Sequence, residues 1–71
     1  MDMEISQRRE RLLQLIQALA EGERDLIHLR YVAELSFAEM ASALQRNEEA
    51  VKKSLYRLLG RLKQELEADH G

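Results

Sequence analysis

Cysteine and proline are absent from the 71-residue chain, and aromatic residues are scarce, with one phenylalanine, two tyrosines and no tryptophan. Without cysteine the protein can have neither a disulfide framework nor a thiolate metal site. The two histidines, His28 and His70, stand far apart in the sequence and predict no metal-ligand cluster. So few aromatic and so many helix-favouring residues predict an all-α protein. With no metal-ligand cluster in the sequence, we expect no cofactor.

Long apolar runs are also missing, since no run of apolar residues exceeds three. This excludes both a membrane-spanning helix and the hydrophobic segment of a signal peptide, so we expect a cytoplasmic protein. The length suffices for one domain, residues 1–71, in which we expect residues 1–4 and 69–71 to be disordered. The sequence has no glycine-rich phosphate loop and no nucleophile beside a base, which predicts that the chain is not an enzyme.

Charge is distributed unevenly along the chain, although the formal net charge is only −2. Residues 45–63 contain six basic and two acidic residues, a local net charge of +4, whereas the remainder contains five basic and eleven acidic residues, a net charge of −6. A nucleic-acid-binding protein needs one basic surface rather than a basic whole. The asymmetry therefore favours a nucleic-acid partner for the C-terminal half.

Apolar residues recur at helical spacing and predict two helices in the N-terminal half. The first helix is predicted from about Ile5 to Leu19, and Gly22 suits the break that follows it. The second is predicted from about Glu23 to Ala33, with carboxylates in its first turn, where the helix dipole favours them. The apolar side chains predicted to pack are Ile5, Leu12, Leu15, Ile16 and Leu19 of the first helix and Leu26, Ile27, Leu29 and Val32 of the second.

Two further helices and a three-residue turn are predicted in the C-terminal half. Ser36 and Glu39 have the spacing of a capping box, so a short third helix begins near Phe37 and ends at Leu44. Asn47 is a favoured N-cap for the fourth helix, which runs to about Ala68. The apolar residues predicted to pack are Phe37, Met40, Ala41 and Leu44 of the third helix and Val51, Leu55, Leu58, Leu62 and Leu66 of the fourth. A short helix, a tight turn and a long basic helix are typical of a helix-turn-helix.

Three segments in a fixed order carry a resemblance to a known family: LRY at 29–31, LSFAEMA at 35–41 and AVKKSLYR at 50–57. Over roughly residues 12–66 the chain resembles region 4, the C-terminal DNA-binding domain of bacterial RNA polymerase sigma factors, and in particular the extracytoplasmic-function group. The resemblance implies a small four-helix domain whose C-terminal helix-turn-helix reads the minus-35 promoter element. It also implies contact with the flap of the polymerase beta subunit, and it adds an anti-sigma factor to the candidate partners.

The chain departs from the family pattern at four positions. Family members commonly have glycine in the turn where this chain has Gln45, an apolar residue at Arg46, proline at Ala20 and a small residue at Glu49. Glycine relieves strain at positive backbone angles, so Gln45 predicts either a cost in stability or a different turn. A carboxylate at Glu49 would repel phosphate but could accept a hydrogen bond from cytosine.

If the domain works as the resemblance implies, the start of the fourth helix enters the major groove of DNA. Asparagine can pair with adenine, lysine can donate to guanine and an alanine methyl can contact thymine. Other basic side chains would contact phosphates and supply salt-sensitive affinity. The candidates near base edges are Asn47, Glu48, Ala50, Lys53 and Ser54, and the phosphate candidates are Arg46, Lys52, Arg57 and Arg61.

Three alternatives remain open at the level of sequence. The basic surface could be a solvated helix side stabilised by Glu48 with Lys52 and Glu49 with Lys53 at four-residue spacing. The chain could be a helical interaction module that binds polymerase or a regulator without DNA affinity. It could also be a dimeric helix-turn-helix regulator outside the sigma group, whereas a sigma domain is expected to be monomeric. Because a complete sigma factor also melts promoters, we expect these 71 residues to be a domain of a longer protein.

Overall fold

The computed structural model describes the backbone of residues 2–68 and the side chains of residues 6–68. Four α-helices follow in the order α1 (Asp2–Gln17), α2 (Glu21–Ile27), α3 (Phe37–Leu44) and α4 (Glu48–Ala68), and a π-helical segment (His28–Val32) continues α2. No strand occurs within residues 2–68, so the predicted all-α class is confirmed. None of these helices is long and apolar enough to cross a bilayer.

Helix α4 is the element against which the other helices pack, since it contacts α1, α2 and α3. Its predicted apolar stripe is buried at Val51, Leu55, Leu58 and Leu62, and Leu66 packs at the margin. Leu15 of α1, Leu26 of α2 and Met40 of α3 complete the buried core. Burying the stripe of α4 requires the opposite side of the same helix to face solvent.

Helix α1 is displaced towards the N-terminus relative to its prediction. It begins at Asp2 rather than Ile5 and ends at Gln17, two residues before the predicted end at Leu19. Residues 2–4, also expected to be disordered, lie in the first turn of α1. Residue 1, residues 69–71 and the side chain of Ile5 lie outside the described residues. Leu19 lies in the connection that follows α1 and not in the helix, but it still packs against the core as predicted.

The second predicted helix differs from the structure in two respects. Gly22 was expected to break the chain, but α2 begins at Glu21 and Gly22 lies in its first turn. After Ile27 the backbone widens into the π-helical segment, whose hydrogen bonds join residues five apart. This widening changes the angular spacing of side chains, and Val32, expected to be buried, is 67% exposed. Leu26, Ile27 and Leu29 are buried or partly buried, as predicted.

The predicted capping box at the start of α3 is confirmed. The Ser36 hydroxyl accepts a hydrogen bond from the Glu39 backbone N–H at 3.1 Å, and the Glu39 carboxylate accepts one from the Ser36 backbone N–H at 2.8 Å. The hydrogen bond from the Ser36 backbone N–H to the Glu39 carboxylate lowers the pKa of Glu39, because it favours the charged form, and the Ser36 side chain contributes in the same direction. Reciprocal capping sets where α3 begins and therefore how it approaches α4.

The end of α3 is fixed by Gln45, whose backbone lies in the left-handed region with φ 55° and ψ 46°. The Arg46 N–H donates to the Ala41 carbonyl at 3.0 Å and the Gln45 N–H to the Ser42 carbonyl at 3.3 Å. This is the Schellman arrangement, which normally places glycine at the left-handed residue. The turn therefore keeps the usual geometry, and Gln45 carries the steric cost that a glycine would avoid.

Gln45→Gly is expected to stabilise the domain by about 1 kcal/mol, since it removes the left-handed penalty of a residue with a Cβ. Gln64→Gly is the matched control, because Gln64 lies exposed in the interior of α4 and glycine there should destabilise by about 1 kcal/mol. Urea-unfolding midpoints of the two variants should move in opposite directions. A Gln45→Gly variant that lost stability as Gln64→Gly does would contradict the strain assigned to Gln45.

Candidate nucleic-acid interface

The start of α4 is held by Asn47, the last residue of the predicted three-residue turn. The Asn47 side-chain oxygen accepts hydrogen bonds from the Glu49 N–H at 2.8 Å and the Ala50 N–H at 3.4 Å. The predicted N-cap is therefore present. Pairing with adenine in two hydrogen bonds would require that same oxygen, so the cap competes with the role predicted for Asn47 at a base edge.

The side of α4 opposite its apolar stripe faces solvent over most of its length. Lys53 and Arg57 are exposed there, and neither has a hydrogen-bond or ion-pair partner among the described side chains. Glu48 and Glu49 are also exposed, but the four-residue ion pairs with Lys52 and Lys53 do not form in the described structure. A pair of adjacent, unpartnered cations on a rigid helix is suited to binding an anionic surface.

Two predicted site residues of α4, Ala50 and Ser54, are half-buried, and Ser54 lines a cleft together with residues of α2. The Ser54 hydroxyl accepts a hydrogen bond from the Arg46 guanidinium at 2.9 Å. Arg46 thus reaches from the turn across the first two turns of α4. This contact orients a cation predicted to bind phosphate, and it uses the hydroxyl that was predicted to read a base.

An aromatic and cationic cluster, consisting of Arg30, Phe37, Lys52 and Tyr56, covers the other flank of α4. The Arg30 guanidinium lies 4.5 Å from the centre of the Phe37 ring and donates to the Leu35 carbonyl at 2.9 Å. The Lys52 ammonium lies 5.7 Å from the same ring, and Tyr56 meets Phe37 edge to face at 5.9 Å. Cations over a ring face are attracted by its negative quadrupole. The cluster fixes the π-helical segment, α3 and α4 relative to one another.

The sequence predicts no role for Arg30 beyond its place in the LRY segment, which contributes to the family resemblance. Its partners, Leu35 and Phe37, follow five and seven residues later, beyond the end of the π-helical segment. Across such an end, neither helical nor strand periodicity predicts which side chains meet. Tyr56 of α4 is the other aromatic member of this cluster. It packs on Phe37 and remains 55% exposed, so its ring is still accessible from solvent.

An ion pair joins the start of α2 to the middle of α4. The Arg61 guanidinium donates to the Glu23 carboxylate at 2.8 Å, and the other carboxylate oxygen accepts from the Ala20 N–H at 3.3 Å. The hydrogen bond from Arg61 lowers the pKa of Glu23, and the same contact raises the pKa of Arg61. Arg61, predicted to bind phosphate, therefore already has an anionic partner within the domain.

A cleft of about 340 Å³ lies beside this ion pair, between the start of α2, the turn and the flank of α4. Its residues are Ala20, Gly22, Glu23, Leu26, Arg46, Ser54, Arg57, Leu58 and Arg61. Three of the four predicted phosphate-binding side chains, those of Arg46, Arg57 and Arg61, thus line one cleft. The Glu23 carboxylate lines the same cleft. No group of three metal-ligating side chains stands together within the described part of the chain.

Comparison with known proteins places these features in a family. The family model described as Sigma-70, region 4 matches residues 9–62. The RNA polymerase sigma-E factor of Streptomyces avermitilis is 37% identical to this chain over 57 residues. The aligned part covers 80% of this chain but 32% of that relative, so the chain spans about a third of the relative's length. No solved structure matches the chain.

Proposed function

The chain belongs to the Sigma-70 region 4 family, and from this membership we propose that it binds double-stranded promoter DNA and reads the minus-35 element. The observation that carries the proposal is the exposed side of α4, where Lys53 and Arg57 stand without partners directly after a capped helix-turn-helix. The buried stripe on the other side holds this surface rigidly. The wider role is transcription initiation as the C-terminal domain of an extracytoplasmic-function sigma factor, in the bacterial cytoplasm.

The geometry suggests how contacts divide between bases and phosphates. Lys53 lies in the exposed second turn of α4, where a major-groove helix presents its side chains to base edges. Arg57 lies one turn further on, and Arg46 projects from the turn, so both are placed to contact the flanking phosphate backbone. Lys52, held over Phe37, would add charge near the groove without reading a base.

A polymerase partner is the second part of the proposal. Tyr31 and Val32 of the π-helical segment are 54% and 67% exposed, and they lie outside the exposed side of α4. Exposed apolar side chains of this size favour a protein contact, for which the beta-subunit flap of RNA polymerase is the candidate and an anti-sigma factor a competitor. The family is one of transcription factors, and the domain is proposed to act by binding rather than by catalysis.

Duplex binding at two salt concentrations tests the proposal. A labelled duplex with a minus-35-like sequence should bind at low salt, and affinity should fall steeply as salt rises, because bound phosphates release counterions. Arg57→Ala should weaken binding to all duplexes and lower the salt slope by about one. Arg9→Ala, which removes an exposed cation from α1, should bind like the parent.

Two outcomes would favour the other functions. Absence of duplex binding at low salt by the folded parent would contradict the DNA proposal and leave the interaction module in first place. Sedimentation distinguishes the regulator outside the sigma group, since a region 4 domain is expected to be monomeric at micromolar concentration. A stable dimer that binds two half-sites about one DNA turn apart would contradict the proposal that the domain binds DNA in the manner of a sigma factor.

A further inference from the structure

The cleft beside α4 combines three guanidinium groups with one carboxylate. Arg46, Arg57 and Arg61 approach it from the turn and from two successive turns of α4, and Glu23 approaches it from α2. Arg46 is held by the neutral Ser54 hydroxyl, and Arg57 has no hydrogen-bond or ion-pair partner within residues 6–68. Arg61 alone is neutralised, because Glu23 lies 2.8 Å from it.

The contact between Glu23 and Arg61 places a carboxylate where a phosphate group would bind. A carboxylate and a phosphate oxygen accept the same charge-assisted hydrogen bonds from a guanidinium. Arg61 is 49% exposed in its side chain and Glu23 is 34% exposed, so a ligand from solvent can reach the pair. An exposed ion pair of this kind contributes little to stability, and DNA, with its high density of charge, can displace it.

We propose that Glu23 is an intramolecular competitor of the DNA phosphate for Arg61. In the free domain Glu23 neutralises Arg61, and on binding Arg61 transfers to a backbone phosphate beside Arg57. Glu23 thereby lowers the affinity of the domain for DNA in general without affecting which bases are read. This inference rests on the proposed function, since it concerns the same interface.

The test uses four variants and a duplex of fixed sequence at one salt concentration. Glu23→Gln keeps an amide oxygen that can accept from the Ala20 N–H, so the start of α2 is preserved. This variant is expected to bind about fivefold more tightly than the parent, the scale of one exposed ion pair. Glu21→Gln removes an equal charge from the same turn of α2. Glu21 has no ion-pair partner within residues 6–68, so this variant should bind like the parent.

The double variant Glu23→Gln/Arg61→Gln separates competition from simple repulsion. Arg61→Gln should weaken binding and lower the salt slope by about one, because one phosphate contact is lost. If Glu23 acts through Arg61, adding Glu23→Gln to Arg61→Gln should change nothing further. Circular dichroism of each variant would establish that the helices are retained.

Several results would overturn the inference while leaving the proposed function intact. Equal gains from Glu23→Gln and Glu21→Gln would mean that only net charge matters. A gain from Glu23→Gln that persisted without Arg61 would mean that the ion pair is irrelevant, and an unchanged affinity would mean that Glu23 does not compete. A folded parent that bound no duplex at low salt would instead overturn both this inference and the proposed function.

Discussion

Leu55→Asp is expected to be unfolded in water. Leu55 is fully buried at the centre of the α4 stripe, and Asp would replace its packing with a carboxylate that has no partner there. Truncating a buried leucine to alanine already costs about 2–5 kcal/mol, and an unpaired buried charge adds several more. A domain of this size has a free energy of unfolding of roughly 4–10 kcal/mol, so the two losses together remove the folded state. Far-ultraviolet circular dichroism with a thermal scan measures the result.

Gln64→Asp is the matched control for this variant. Gln64 lies on the exposed side of α4, so the same charged side chain enters the same helix without entering the core. The control should lose only the small helix-propensity difference, about 0.5 kcal/mol, and unfold cooperatively. If Leu55→Asp showed the parent's helicity and unfolding transition, the packing of α4 on the other helices would be wrong.

Lys53→Ala is expected to reduce sequence discrimination by about 1–3 kcal/mol at the base pair it contacts. Lys53 is exposed in the second turn of α4 and has no partner that would divert its ammonium group. The parent protein would first select its preferred sequence from a pool of randomised duplexes. The affinities of the parent and of Lys53→Ala would then be measured for that sequence and for each of its single-base variants. The loss should be confined to one position or two neighbouring positions of the site.

Lys63→Ala supplies the control for Lys53→Ala, because it removes the same side chain from the exposed part of α4 three turns further on. It should leave the pattern of base preference unchanged. Arg57→Ala should differ from both, since a phosphate contact weakens all sequences alike. If Lys53→Ala weakened every duplex by the same factor, the assignment of Lys53 to a base edge would be wrong.

The C-terminal half of the fold was predictable because its signals are local. The capping box at Ser36, the N-cap at Asn47 and the stripe from Val51 to Leu62 each relate residues that are two to four positions apart. Such interactions depend on spacing along the chain, and the structure places α3 and α4 where the sequence predicted them. The left-handed Gln45 was also indicated, by the glycine that the family has in that turn.

The N-terminal half was predicted less accurately because its boundaries depend on tertiary contacts. The π-helical segment is followed by Glu34, a second left-handed residue with φ 57°, and the Leu35 N–H donates to the Leu29 carbonyl at 3.0 Å. Arg30 adds its hydrogen bond to Leu35 and its contact with Phe37. Helix propensities are defined for a regular α-helix and take no account of such contacts, so they did not predict where these elements end.

The exposure of the candidate site residues was predictable from the sequence, but their pairings were less so. Exposure of Lys53 and Arg57 follows from the apolar stripe, because the two sides of a helix are related by its periodicity. The ion pair of Glu23 with Arg61 joins residues 38 apart, and no local pattern predicts it. Which predicted side chains contact bases and which contact phosphates stays a prediction.

A backbone-amide NMR titration of the labelled domain with a minus-35-like duplex, at low and then at moderate salt, tests the proposed DNA-binding surface most directly. We expect chemical-shift changes concentrated in residues 46–61 that diminish as salt rises, since the contacts include phosphates. The residues of α1, which line neither the turn nor the exposed side of α4, should keep their chemical shifts. Changes centred instead on the exposed Tyr31 and Val32, or no changes at low salt with the fold intact, would contradict DNA binding by α4.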